Sequence, residues 1–246
     1  MTTLKNKIAI VTGSSKGIGA QIAILLAAAG AKTIINYAND DAAANDIVNQ
    51  IKSAGGEAIA VQADVSNTEQ VATLFDTTIS EFGKPDILVN SAGMMINKPI
   101  AETTDEDFDR TFAVNVKGTF NTLREAATKL NDGGRIVNLS STTTRMMLPA
   151  YGTYCATKGA VEQLTRVFSK EVGTRGITVN AVSPGPTDTE LFHEGKADDT
   201  VERLASMSPF NPIGEPVDIA RVVAFLVSEE AAWVTGQNIG ANGGIA

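Results

Sequence analysis

Between residues 7 and 30 the chain passes from a short apolar run at 7–12 into Gly13-Ser14-Ser15-Lys16-Gly17-Ile18-Gly19. It continues as an Ala/Ile/Leu-rich segment from Gln21 that stops at Gly30. That order reads as strand, glycine turn, helix and glycine stop. The alternation then recurs. Residues 32–37, 57–62, 86–89, 135–141, 177–182 and 237–240 read as further strands, and 41–54, 67–82, 104–130, 152–174 and 216–228 as helices. With no fixed-period repeat and no linker, this predicts one α/β domain over residues 1–246: a doubly wound parallel sheet of about seven strands with helices on both faces. A length of 246 residues with 43% apolar and 20% charged side chains suffices for one full core.

Glycines at a strand-to-helix turn let the backbone approach a pyrophosphate, which then sits at the positive end of the helix. The spacing here leaves three residues between the first two glycines, so the alternative is a tight connection and no more. The second strand ends at Asn36-Tyr37, where a dinucleotide fold meets the adenosine ribose. Asn36 brings no carboxylate and the turn brings Lys16, a pairing that favours a 2′-phosphate and therefore NADP(H). Asp40 and Asp41 stand against that choice, with the alternative that they start the next helix, where acids complement its dipole. Asp64, with Val65 after it, is placed either to bond an adenine amino group or to form a turn with Ser66 and Asn67.

The fourth strand ends in Asn90-Ser91-Ala92-Gly93, a turn able to lie flat against a cofactor, and Met94, Met95 and Ile96 follow at the edge where open parallel sheets bind ligands. Asn115 stands inside the segment read as a helix, a poor place for a side chain that competes for backbone groups. The fifth strand ends in Ser140-Ser141, and the sixth runs into Ser183-Pro184-Gly185-Pro186-Thr187-Asp188-Thr189, a rigid turn. The polar stretch 190–211 suits a helical lid, with a loose surface insertion as the alternative. Tyr154 and Lys158 lie four apart on a helix, hence on one face. An ammonium beside a phenol favours the phenolate, so Lys158 is expected to pull Tyr154 below its ordinary value of ~10 and make it a general acid or base.

Together these motifs resemble the short-chain dehydrogenase/reductase family, from about Leu4 to Gly244. Thr12 to Gly19 looks like its cofactor turn. Asn90-Ser91-Ala92-Gly93 looks like its structural turn, with Ser91 where a second Asn is usual. Asn115, Ser141, Tyr154 and Lys158 match its catalytic tetrad, and Pro184-Gly185 with Thr187 and Thr189 its nicotinamide-side loop. The resemblance implies a Rossmann-like fold and reversible NADPH-dependent reduction of an aldehyde or ketone. In it Tyr154 is the proton donor, Ser141 the oxyanion partner, Lys158 the partner of Tyr154 and the nicotinamide ribose, and Asn115 the seat of a relay water. It also implies a homo-oligomer, a tetramer built through the helices at 104–130 and 152–174. A 3-oxoacyl carrier-protein reductase and a non-catalytic dinucleotide sensor are the alternatives.

Other classes are disfavoured. One cysteine, Cys155, and one histidine, His193, offer no metal-ligating cluster. A net charge of −8 without a Lys/Arg cluster argues against nucleic acid. No apolar run reaches the ~18 residues of a membrane span and no signal-peptide pattern opens the chain, so the expected location is the cytoplasm. The same negative charge argues against an acidic carrier protein as partner. Met94, Met95, Met146, Met147 and Leu148 are candidates for an adaptable apolar pocket around a small carbonyl or alcohol substrate, or else simply fill core gaps.

Overall fold

The computed structural model describes residues 3–194, 196–210 and 213–246. Seven strands, β1 (Ile8–Thr12), β2 (Lys32–Tyr37), β3 (Glu57–Gln62), β4 (Ile87–Asn90), β5 (Arg135–Leu139), β6 (Thr178–Pro184) and β7 (Asn238–Ala241), form one sheet in the order β3-β2-β1-β4-β5-β6-β7. Every neighbouring pair is parallel. The chain winds outward from β1 to β3, then crosses to β4 on the other side of β1. The carboxyl ends of β1 and β4 are therefore a topological switch point, the place where such sheets open a crevice.

Strand side chains alternate between faces, so each strand feeds two cores. Ala9 and Val11 of β1 join a cluster with Ile22 and Leu26 of α1 (Gly17–Ala28), Val48 of α2 (Asp41–Ser53) and Val223 of a later helix. Ile10 joins the opposite cluster with Leu74 and Phe75 of α3 (Thr68–Glu81), Leu88 and Ile136. Strands β1, β4 and β5 are buried throughout, which explains the apolar runs in β1 and β4, while in β5 Arg135 and Asn138 are buried as well.

The segment expected as one helix over 104–130 is divided. A capping box between Thr104 and Asp107 opens α4 (Asp105–Phe112), a π-helical turn occupies Ala113–Lys117, and α5 (Gly118–Lys129) follows. The turn widens the helix at Asn115, and such insertions recur at functional sites. After β5 come α6 (Thr143–Met146) and α7 (Gly152–Glu171), which gives way to a 3-10 turn at Gly173–Arg175 instead of reaching residue 174 as helix. The stretch after β6 holds α8 (Glu190–His193) and α9 (Asp198–Ser206), and α10 (Pro216–Leu226) completes the set. Residue 211, the far limit of the expected lid, lies outside the described residues. Among the described residues, no helix is long and apolar enough to cross a membrane, and no group of three or more His, Cys, Asp or Glu is poised to hold a metal ion.

Candidate active site

A cleft of about 970 Å³ lies across the carboxyl ends of β1, β4, β5 and β6. At one end, the turns after β1 and β4 touch. A Cβ added to Gly13 would stand 2.6 Å from the Ala92 Cα, and the φ of Gly13 is +59°, so this approach requires glycine. The Thr12 hydroxyl ties the turns together by accepting the Ser91 and Ala92 amides at 3.0 and 3.1 Å. Helix α1 begins in the cleft with Lys16 as its N-cap, and that side chain caps nothing. By contrast α2, α3 and α4 are capped by Asp40, Asn67 and Thr104. With no acid in its first turn either, α1 presents amides and a positive dipole end to the cleft, which suits a phosphate.

Of the residues expected to bind cofactor, Gly13, Ser15, Lys16, Gly17, Ile18 and Gly19 line this cleft. So do Ala92, Gly93, Pro184, Gly185, Thr187 and Thr189, along with Tyr154 and Lys158. Six others support it from behind. The Ser14 hydroxyl turns inward to the Val11 carbonyl at 2.7 Å. Asn36 is buried; its Oδ1 accepts the Gly13 amide and its Nδ2 donates to the Val61 and Ala63 carbonyls, so it braces the glycine turn and cannot select a ribose. The residues after β2 that do face the cleft are Ala38, Asn39 and Asp40. The Tyr37 hydroxyl donates to Asp41 at 2.6 Å, which holds its proton more tightly than usual.

The remaining three are held in the same way. Asp64 makes the turn, its Oδ1 accepting both the amide and the hydroxyl of Ser66. Val65 packs in the core beneath Gly118. Asn90 belongs to a buried chain running from Thr122 through Asn90 and Asn138 to Thr165, which ties α5 to α7 across β4 and β5. Strand polarity hid these outcomes. A side chain at a strand end faces the cleft or the neighbouring turn according to pleat, and the motif does not say which.

At the other end of the cleft, α7 presents Tyr154 and Lys158, and the loop after β5 presents Ser141. All three are buried. Burial pushes the Tyr154 phenol up to about 12, opposed by its hydrogen bond with the Ser141 hydroxyl, whose Oγ in turn accepts from the Thr143 hydroxyl at 2.9 Å. Burial pushes the Lys158 ammonium down to about 8. The expected lowering of Tyr154 by Lys158 is absent. Nζ lies 5.6 Å from the phenol ring centroid and donates to the Leu139 carbonyl at 2.8 Å, while the low-dielectric surroundings disfavour the charged form of both groups.

Asn115 does not line the cleft. Its Oδ1 accepts the Met94 amide and its Nδ2 donates to the Met94 carbonyl and the Thr157 hydroxyl, fixing the loop after Gly93 against α7. It and Lys158 both border Gly93, since a Cβ on Gly93 would stand 3.4 Å from the Asn115 Oδ1 and 3.6 Å from the Lys158 Nζ. Met94, Met95, Met146 and Leu148 line the cleft as expected, whereas Met147 is exposed at a left-handed backbone position.

Two contacts escaped sequence reasoning. Glu162, one turn beyond Lys158 on α7, accepts from the Ser140 hydroxyl at 2.8 Å and the Thr144 hydroxyl at 2.9 Å, clamping both sides of Ser141 to the helix that carries Tyr154. The four-residue step from Lys158 was its available signal. Glu190 pairs with Lys16 at 2.8 Å. With 174 positions between them, no local pattern announced it.

The chain as a whole is similar to known proteins. The family model described as enoyl-(acyl carrier protein) reductase matches residues 13–246. The chain is 44% identical, over 99% of its length and 97% of the relative, to a short chain dehydrogenase/reductase of Cryptosporiopsis sp.. It is 46% identical, over 98% of its length and 94% of the relative, to a chloroplastic NADPH-dependent aldehyde reductase-like protein of Arabidopsis thaliana. The solved structure of an angucycline C-6 ketoreductase with bound NADP matches with a TM-score of 0.94 at 42% identity, covering 99% of this chain and 97% of that one. The chain belongs to the short-chain dehydrogenase/reductase family. It is an oxidoreductase.

Proposed function

We propose that the protein uses NADPH to reduce a small aldehyde or ketone to an alcohol, reversibly. The observation that carries this reading is the meeting of a buried, protonated phenol with a serine hydroxyl at the inner end of a cleft whose outer end is an uncapped helix N-terminus. Bound nicotinamide would supply the hydride. The chain's own residues do the rest. Tyr154, holding its proton up to about pH 12, donates it to the carbonyl oxygen as hydride arrives at carbon. Ser141 donates a hydrogen bond to the same oxygen as charge develops on it. Lys158, charged below about pH 8, stabilises the phenolate left behind, and Asn115 holds the loop at Met94 beside it. The amides of α1 and Lys16 hold phosphates, the latter favouring NADPH over NADH.

Leu191, Phe192, Glu194 and Leu204 face the cleft from α8, α9 and the loop between them, which supports the lid reading of 190–211. A single domain, homotetrameric assembly and a cytoplasmic location belong to the same proposal. The net charge of −8 argues against an acidic carrier protein as the substrate's bearer. The test is Tyr154→Phe, which removes one proton and little volume. Turnover of aldehydes and ketones should fall ~10²-fold or more, while NADPH affinity by fluorescence titration stays within about twofold of wild type. Undiminished turnover would remove the reading, and NADPH binding with no carbonyl reduced by the wild type would favour a sensor.

A further inference from the structure

Beyond the carbonyl end of the cleft lies a second cavity of about 510 Å³, walled by Leu148, Pro149, Leu204 and Tyr151 and closed by Asn97, Lys196 and Arg203. Leu148, Tyr151 and Leu204 line both cavities, so the second continues from the first. Tyr151 directly precedes α7 and stands three residues before Tyr154. Tyr151, which lines both cavities, therefore stands roughly one helical turn before the proton donor.

This chain carries eight more negative than positive charges, yet no carboxylate is among the residues lining the second cavity. Two cations are. Lys196 is half-buried, lies 5.0 Å from the Phe192 ring centroid and donates to the Phe192 carbonyl; Glu194 acts on it through space from the adjoining cleft. Arg203, on α9, acts electrostatically on Tyr151, whose hydroxyl is hydrogen-bonded with Asn97. An arginine and a lysine among the residues lining a partly apolar cavity match a carboxylate on an apolar spacer.

Resting on the carbonyl-reductase reading above, the geometry points to a substrate class: aldehydes and ketones that carry a carboxylate on an apolar spacer beyond the carbonyl. The carbonyl oxygen lies at Tyr154 and Ser141, the spacer against Leu148 and Leu204, and the carboxylate between Lys196 and Arg203. Neutral carbonyl compounds of the same shape enter without that last contact.

The experiment compares kcat/KM for 4-formylbenzoate and 3-(4-formylphenyl)propanoate with that for 4-methylbenzaldehyde, in wild type and in Lys196→Gln/Arg203→Gln. The intrinsic reactivities of the aldehydes cancel when the acid-to-neutral ratio is compared between the two proteins. For at least one acid the ratio should fall about tenfold or more in the double variant, and the wild-type ratio should shrink with added salt. A ratio that changes by less than about threefold for both acids overturns the proposal. If wild type reduces none of the aldehydes, the reductase reading has failed. The subsite is then judged by calorimetric titration with 4-(hydroxymethyl)benzoate, where binding lost in the double variant upholds it, and binding equal in the two proteins or absent from both overturns it.

Discussion

Two lysines mark the two ends of the cleft, and they are held in opposite ways. Lys16 is largely exposed and paired with Glu190, which holds its proton more tightly than usual. Lys158 is buried, donates to a carbonyl, and has its affinity for a proton weakened to about 8 by desolvation. The exposed lysine is always charged and its effect is spread by solvent and salt; the buried one is poised near neutrality and its charge acts at close range. Phosphate binding tolerates the first setting because backbone amides share the work. Proton transfer requires the second, where position and charge state are fixed together.

The strongest way to break this contrast is to change Lys158. Replacement by Met should lower turnover by ~10²-fold or more by removing the charge beside Tyr154. The sign of its pH effect follows from the lowered value. Lys158 is charged below about pH 8 and loses its charge above it, so kcat/KM for reduction should fall on the alkaline side of about pH 8, while Tyr154 keeps its proton up to about 12. In Lys158→Arg, whose guanidinium stays charged, that alkaline limb should vanish even if activity is reduced. An unchanged limb in the arginine variant would assign it elsewhere. The same burial penalises the folded state while Lys158 is charged. Its stability term is therefore least favourable below about pH 8 and improves as pH rises from there towards the unfolded value of 10.5. Lys158→Met should raise the thermal midpoint measured at pH 7 while destroying activity.

A smaller effect sharpens the same contrast by asking what holds the catalytic end rigid. Glu162 fastens Ser140 and Thr144, on either side of Ser141, to α7. Glu162→Leu should lower kcat about tenfold by letting the serine hydroxyl drift from Tyr154, with NADPH affinity intact. Glu162→Gln retains the acceptor oxygen and should recover most of the loss. A glutamine variant as poor as the leucine one would show that charge, and not the clamp, is what matters.

These residues also show what the sequence made legible. The parallel sheet and the glycine turn at Gly13 follow from local periods and turn chemistry, which are short-range signals, whereas Tyr154 and Ser141 become legible as a pair only through the resemblance to the family. Asn115 was noticed as an anomaly within a helix, but the π turn that accommodates it depends on Met94 and Thr157, far along the chain. Asn36 was misplaced because the pleat aims its amide at the glycine turn. The Tyr154 phenol departs from the lowering expected of it for a related reason: spacing reveals that two groups are neighbours, whereas their pKa values depend on burial, which no local pattern contains.

The smallest effect concerns the exposed lysine. Glu190 and Lys16 are both solvent-exposed, and such pairs contribute little to stability, so their removal should leave the thermal midpoint nearly unchanged. Their effect is expected in cofactor choice. Glu190 occupies the cation that a ribose 2′-phosphate would meet, and Asp40 adds further negative potential around Lys16. Glu190→Gln should therefore tighten NADPH binding by about two- to fivefold at low salt, leave NADH nearly unaffected, and lose this advantage at high salt as screening grows. Lys16→Ala should do the reverse, raising the KM for NADPH and narrowing its lead over NADH. In the double variant the Glu190 effect should disappear, because that carboxylate acts on NADPH through the lysine it holds. Tighter NADPH binding in Glu190→Gln that persists without Lys16 would mean that Glu190 repels the phosphate directly and not through the lysine it pairs with.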